Sequence, residues 1–421
     1  MPTESSEPFL QTGWLSLLSG YWPVLFTAFV VALISTPIVR SIARRHDFVD
    51  HPDESRKMHK EPIAYLGGVA IFFAVVAGVG VSYTAWISSP VEFQHFPIVI
   101  FVGLITIGYT GLMDDVRGMW DPWWKVAGQL AAAAAMAQQG VGTRVAEGFL
   151  RGSGFSQEFC DYTLLGSTQY MSDPVTVTSI IGTVIITLFI LGACNAANLI
   201  DGLDGLLSGT VAITCVGLIA ISLMIAVSMT PENLLDIENH LPIDSWMHSR
   251  GGGISLMGAN IVLGLAVLGA TVGFLVFNFN PATIFLGDTG SLLLGYLCIV
   301  MVLMLGEQGQ THIVVAGLIV FALPILDTLL AIIRRKMAGR PLSEPDSNHI
   351  HHIIKRRVVG VKKTVFVLYG ISTVFCFLGV TLAWAHIAEE IRALVIYIVA
   401  FLIFGGICLL ALRAARHHEA S

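Results

Sequence analysis

Eleven apolar stretches recur along the chain, and they leave few alternatives to a membrane fold. They run over 22–38, 67–87, 96–113, 124–138, 176–194, 208–229, 256–277, 291–305, 313–333, 364–385 and 391–412. Bilayer hydrocarbon is about 30 Å thick, so a helical span needs about 20 residues, and only the fourth and eighth stretches look short. An unpaired backbone amide in lipid costs several kcal/mol, so the spans must be helices or a closed barrel. A barrel would alternate polar and apolar residues, and no such alternation is present. Composition agrees, with 55% hydrophobic residues, 12% charged residues and a mean hydropathy of +0.76. The predicted fold is an all-α polytopic integral membrane protein of about eleven transmembrane helices. It forms one domain over 21–413, with tails at 1–20 and 414–421.

Lys and Arg set the orientation, because positive loops stay cytoplasmic. Nineteen of the 23 lie on one side, in the stretches 39–66, 114–125 and 334–363 and at Arg413 and Arg416; Arg144, Arg151, Arg250 and Arg392 lie opposite. The amino terminus is therefore expected outside and the carboxyl terminus in the cytoplasm. The first stretch lacks a basic leader and ends in Arg residues, so it is expected to remain as a span. Five of the six cysteines fall in or beside spans, which suggests no disulfide framework. The net charge of −6 is sorted by side, and no nucleic-acid partner is expected.

Every unusual polar cluster falls on the cytoplasmic side of this topology. Asp114 and Asp115 end the third span, and the fifth ends NAANLIDGLDG, carrying Asn195, Asn198, Asp201 and Asp204. The two Asn, at i and i+3, are predicted to share one helical face, and Gly202 and Gly205 to loosen the helix end. FNFNPATIFLGDTGS places Asn278, Asn280 and Asp288 after the seventh span, in loop 278–290. The ninth contains Asp327 and leads to Arg340 and a group of His349, His351 and His352. Taken singly, each has a plain reading: solvated helix ends for the Asp pair, a capped turn for GDTGS, and an Arg partner for Asp327. The histidines alone read as a zinc site or a solvated loop, though nine Lys and Arg between 334 and 363 favour anions. What the plain readings leave unexplained is the shared membrane face.

Carboxylates and amide oxygens are hard ligands of the kind that hold Mg²⁺ while leaving positions for phosphates and water. The basic loop supplies donors for phosphate oxygens. Together they point to phosphoryl transfer, in which positioning and charge stabilisation do most of the catalysis. No P-loop, CxxC, Rossmann fingerprint or GxSxG elbow is present.

These residues resemble the polyprenyl-phosphate N-acetylhexosamine-1-phosphate transferases. The likeness covers about residues 20–385 and rests on RKMH (Arg56 to His59) with Gly67 and Gly68, the Asp114–Asp115 pair, NAANLIDGLDG, GDTGS, and PILD leading to PDSNHIHH. It implies transfer of a sugar 1-phosphate from a UDP-N-acetylhexosamine to undecaprenyl phosphate in the bacterial plasma membrane, with Mg²⁺ as cofactor and Mn²⁺ as a substitute. Asp288 would bind the metal with Asn198 as second contact. Asp114 or Asp115 would deprotonate or orient the lipid phosphate. Asn195, Asp201, Asp204, Lys57, His59, Arg340, His349, His351 and His352 would contact substrates. Attack could be direct or pass through an aspartyl-phosphate, and the resemblance is compatible with a homodimer. PDSNHIHH is similar to the branch that uses UDP-N-acetylglucosamine, with the UDP-N-acetylmuramoyl-pentapeptide (lipid I) reaction as the alternative. Ala64 and Gly118 depart from the family pattern, where a proline and a charged residue are common. A secondary transporter is the rival class, but it calls for mid-span charges and repeat symmetry, and Asp327 is the only acidic residue well inside a span. An inactive scaffold should show degraded motifs, and the Asp, Asn and His positions remain.

Overall fold

A computed structural model of the chain describes residues 14–50, 62–84, 97–118, 121–138, 143–166, 175–228, 256–306, 309–341, 349–358, 360–409 and 412. Each apolar stretch is helical there. The helices are α1 (Trp14–Arg45), α2 (Gly67–Val81), α3 (Ile98–Arg117), α4 (Pro122–Gln138), α5 (Thr143–Gly152), α6 (Gln157–Cys160), α7 (Val177–Ile200) and α8 (Leu206–Ser228). They continue with α9 (Leu256–Asn278), α10 (Gly287–Met304), α11 (Thr311–Val320), α12 (Ala322–Met337), α13 (Ile350–Arg357), α14 (Val361–Ile387) and α15 (Ala393–Ala400), which runs on through a π-helical turn, Phe401–Gly405.

Among the described residues, seven helices are long and apolar enough to cross a membrane. α11 and α12 make an eighth if counted as one span, but they meet at an 81° bend where sequence predicted one continuous helix. The cause is Pro324, the third residue of α12. Its ring displaces the carbonyl four residues back, at Val320, where α11 ends. α2 and the last helix are apolar but shorter, and α4 has 17 residues that include Trp123, Trp124 and Lys125. Among the described residues, seven or eight helices thus meet the length and apolarity of a span, against the eleven expected.

The core is organised around α10. Every residue from Thr289 to Met304 is buried, enclosed by α2, α3, α7, α8, α9 and α11. A helix apolar on all sides suits only a position surrounded by protein or lipid, and here protein surrounds it. Helices in lipid associate through close packing of small residues. A Cβ on Gly68 would lie 2.1 Å from the Gly290 nitrogen, and one on Gly111 would lie 2.5 Å from the Thr289 Cα, so α2 and α3 clasp the first turn of α10. Extended backbone completes the clasp: Phe285 N donates to Ala64 O at 2.8 Å, and Gly67 N and Gly68 N donate to Phe285 O and Leu286 O. Away from this end, α5, α6 and a strand pair (Thr163–Leu165 with Val175–Thr176) cover the starts of α7 and α11. There Thr178 Oγ1 donates to Cys160 O and Thr311 Oγ1 to Val145 O.

Candidate active site

The polar ends of α3, α7 and α10 meet. Gly287 takes φ +70°, a conformation that favours glycine, and turns the chain into α10 so that Asp288 lies in its first turn. Asp115 reaches across from α3 and caps that turn. Its Oδ1 accepts from Asp288 N at 2.7 Å, and its Oδ2 accepts from Thr289 N at 2.9 Å and Thr289 Oγ1 at 2.5 Å. Asp114 meets side chains instead, those of Lys125 and Asp288. Its Oδ2 lies 2.8 Å from Lys125 Nζ, which also contacts Asp288 Oδ2. Asn198 holds the other Asp288 oxygen, donating to Oδ1 at 2.9 Å and to Ser291 Oγ at 2.8 Å. Asp288 thus sits at the positive end of a buried helix dipole, between an ammonium and an amide.

α7 runs on to Ile200, beyond the end predicted from hydropathy, so both Asn residues lie within it. Three residues along a helix still leave about 60° between side chains, and α7 has different neighbours on either side. Asn195 therefore bonds Gln129 Oε1 of α4 at 3.1 Å and Leu191 O, away from Asp288, while Asn198 faces α10. After α7, Asp204 Oδ2 accepts from Asn280 Nδ2 at 2.8 Å and Ala282 N at 3.1 Å, fixing the α9–α10 turn. Asn278 is spent internally, on Ser208 Oγ and Ile284 O.

An open cleft of about 580 Å³ adjoins these groups, a size typical of small-molecule sites. Its lining includes Asn198, Asp201, Asp204, Asp288 and Ser291, and also Tyr65, Phe285, His352 and Lys355. Burial first, then the charges of Asp288, Asp115 and Asp204, push the Asp201 carboxyl up to about 8. Burial and the neighbouring Asp50 raise the Tyr65 phenol above its ordinary range.

Of the three histidines, only His352 lines the cleft. His349 Nδ1 lies 2.7 Å from Asp327 Oδ2, and His351 is buried with its ring against Gly202, where a Cβ would come within 2.5 Å of Nε2. Burial lowers His351 to about 4, and burial with nearby cations lowers His352. Asp327 pairs with a histidine rather than with the Arg expected from its own helix, because α12 carries Arg334 and Arg335 two turns further on. Arg340 is exposed in the turn after α12 and is not among the cleft-lining residues. Lys57 and His59 lie outside the described residues. Sequence reasoning missed Lys125, although a lysine in the first turn of a short apolar helix, ten residues after an Asp pair, was a usable signal. It also missed Tyr65, Lys355 and Asp327's partner.

Residues 97–306 match the family described as Glycosyl transferase family 4. A probable undecaprenyl-phosphate N-acetylglucosaminyl 1-phosphate transferase of Bacillus subtilis is 33% identical over 369 residues, covering 86% of each chain. The chain belongs to glycosyl transferase family 4. A decaprenyl-phosphate N-acetylglucosaminephosphotransferase of Mycobacterium tuberculosis is 31% identical to this transferase, over 82% of it and 78% of the relative. An undecaprenyl-phosphate alpha-N-acetylglucosaminyl 1-phosphate transferase of Escherichia coli K12 is 24% identical over 93% and 92%. The family match spans α3 to α10 and so takes in Asp114, Asp115, Lys125, Asn198 and Asp288, whereas Asp327 and the histidines lie beyond it.

The donor set of this transferase suits a divalent cation of the hard class. Among the described residues no three His, Cys, Asp or Glu groups cluster as a ready-made protein cage. Mg²⁺ does not need one, since one or two carboxylates plus substrate phosphates and water suffice. Asp114 and Asp288 already share a cation, the Lys125 ammonium.

Proposed function

We propose that this transferase moves N-acetylglucosamine 1-phosphate from UDP-N-acetylglucosamine to undecaprenyl phosphate and releases UMP. The observation that carries the reading is Asp288 at the positive end of a buried helix, facing a cleft and flanked by Lys125, Asp114 and Asn198. The names of the curated relatives support the acceptor and the sugar, and none of those reported carries a muramoyl-pentapeptide donor.

On this reading the donor lies in the cleft, where His352 and Lys355 offer N–H groups to its diphosphate. Asp288, with Asp114 and the Asn198 carbonyl oxygen, would hold Mg²⁺ or Mn²⁺, which when bound supplies charge stabilisation to the diphosphate and to the departing UMP. Asp114 orients the lipid phosphate and accepts its proton where one is present. A lipid phosphate oxygen attacks the β-phosphorus, the bond from that phosphorus to the bridging oxygen breaks, and UMP leaves with the electron pair. Lys125 on Asp114 and the α10 backbone on Asp115 engage both carboxylates, which favours direct attack over an aspartyl-phosphate. Asp115 acts by fixing the turn that carries Asp288. The site faces the cytoplasm of a bacterial plasma membrane, with α2, α4 and α15 completing eleven crossings.

The test is a donor panel. Purified protein with Mg²⁺, undecaprenyl phosphate and labelled UDP-N-acetylglucosamine is expected to give a butanol-extractable product that Asp288→Ala abolishes. No lipid product from any UDP-N-acetylhexosamine, with lipid and metal binding intact, would end this reading.

A further inference from the structure

We propose that Asp327 is the positioning residue of the histidine group, acting through His349 to set the wall of the cleft; this rests on the reading above. Asp327 is fully buried in α12, where an unpaired carboxylate would cost several kcal/mol. Both of its oxygens are committed to a single target. Oδ2 lies 2.7 Å from His349 Nδ1, and Oδ1 accepts from Ile350 N at 2.6 Å. Ile350 opens α13, and His349, at the capping position, gives that helix no side-chain cap of its own. The cap comes instead from another helix through Asp327.

The contact propagates toward the cleft. A carboxylate only accepts, so His349 carries its proton on Nδ1, and its ring orientation is fixed. That ring lies parallel to His351, with centroids 5.6 Å apart and 6° between planes, and His351 meets His352 at 4.2 Å. The His351 ring packs over Gly202, where an added Cβ would come within 2.5 Å of Nε2, so the middle of the stack has a close backbone neighbour. His352 and Lys355, at i and i+3 on α13, are the members that reach the cleft. A chain of contacts thus leads from one buried carboxylate to the groups that face the donor. If Asp327 served folding alone, neither the ring stack nor its end at the cleft wall would depend on it.

The test is a double-mutant cycle on the full-length protein, with Asp327→Asn, His349→Ala, the pair, and His349→Asn. Readouts are donor KM and kcat, UDP-N-acetylglucosamine affinity by calorimetry, and melting temperature. Asp327→Asn and His349→Ala are each expected to lower kcat/KM for the donor about tenfold, the size of one charge-assisted hydrogen bond, chiefly through KM. The pair should lose no more than the worse single variant, because both changes cut the same link. His349→Asn should recover most of the loss, since its amide can donate to Asp327. Losses that multiply, or a fall in melting temperature with donor affinity unchanged, overturn the proposal. Wild-type protein that binds donor yet forms no lipid product defeats the functional reading while the binding cycle still tests this one, and wild-type protein that binds no donor overturns both.

Discussion

Asp114 and Asp115 are adjacent and chemically identical, yet the structure gives them separate tasks, and substitution should separate them. Asp115 uses both oxygens on the first turn of α10, accepting two backbone N–H groups and a hydroxyl. Asp115→Ala leaves these donors unsatisfied at about 1–3 kcal/mol each, so the loss should reach about 3 kcal/mol or more. Asp115→Asn should be nearly as damaging, because its amide offers one acceptor and turns an NH₂ toward a backbone N–H. Asp114→Ala removes an ion pair to a Lys125 side chain that is 26% exposed, which costs about 1 kcal/mol or less. The assay is thermal unfolding in detergent alongside lipid-product formation. Both Asp115 variants should melt several degrees lower and lose activity, whereas Asp114→Ala should melt near wild type and lose turnover. Equal melting temperatures for Asp114→Ala and Asp115→Ala would refute the division of labour.

Four further outcomes are expected. Gly202→Ala should push the His351 ring aside, because the new Cβ would lie 2.5 Å from Nε2, and raise donor KM with little change in melting temperature. Gly68→Ala should prevent stable folding, seen as lost monodisperse protein on size exclusion, because the clash is with the backbone of Gly290 and not with a movable side chain. Lys125→Met removes the ammonium shared by Asp114 and Asp288, so added Mg²⁺ should raise the melting temperature more than in wild type. Asp201 titrates near 8 when folded and near 4 when unfolded, so the folded state holds its proton through that window. Metal-free protein should therefore lose stability as pH rises from about 4 to 8, and Asp201→Asn should flatten that slope.

Much of this was legible in the sequence because membrane physics restricts where polar groups can go. Asp114, Asp115, Asn198, Asp201, Asp204 and Asp288 were all marked by standing beside apolar stretches, and the structure gathers Asn198, Asp201, Asp204 and Asp288 at one cleft. Division of roles was not legible, because it depends on the neighbour each side chain meets. Asn195 and Asn198 differ only in facing α4 or α10, and Asp114 and Asp115 only in facing Lys125 or the α10 backbone. The histidine group shows the same limit: HIHH reads as three equal phosphate ligands, but packing buries His349 and His351 and leaves His352 at the cleft. The break at Phe321 follows from Pro324, a local signal that hydropathy averaging hides. Lys125 was counted only as a loop charge, since its two partners lie 11 and 163 positions away.

Labelling the donor's β-phosphate tests the central claim most directly. If sugar 1-phosphate is transferred, the label passes to the butanol-extractable lipid and unlabelled UMP is released in equal amount. Label that stays in a released UDP would show transfer of the sugar alone and would contradict the account.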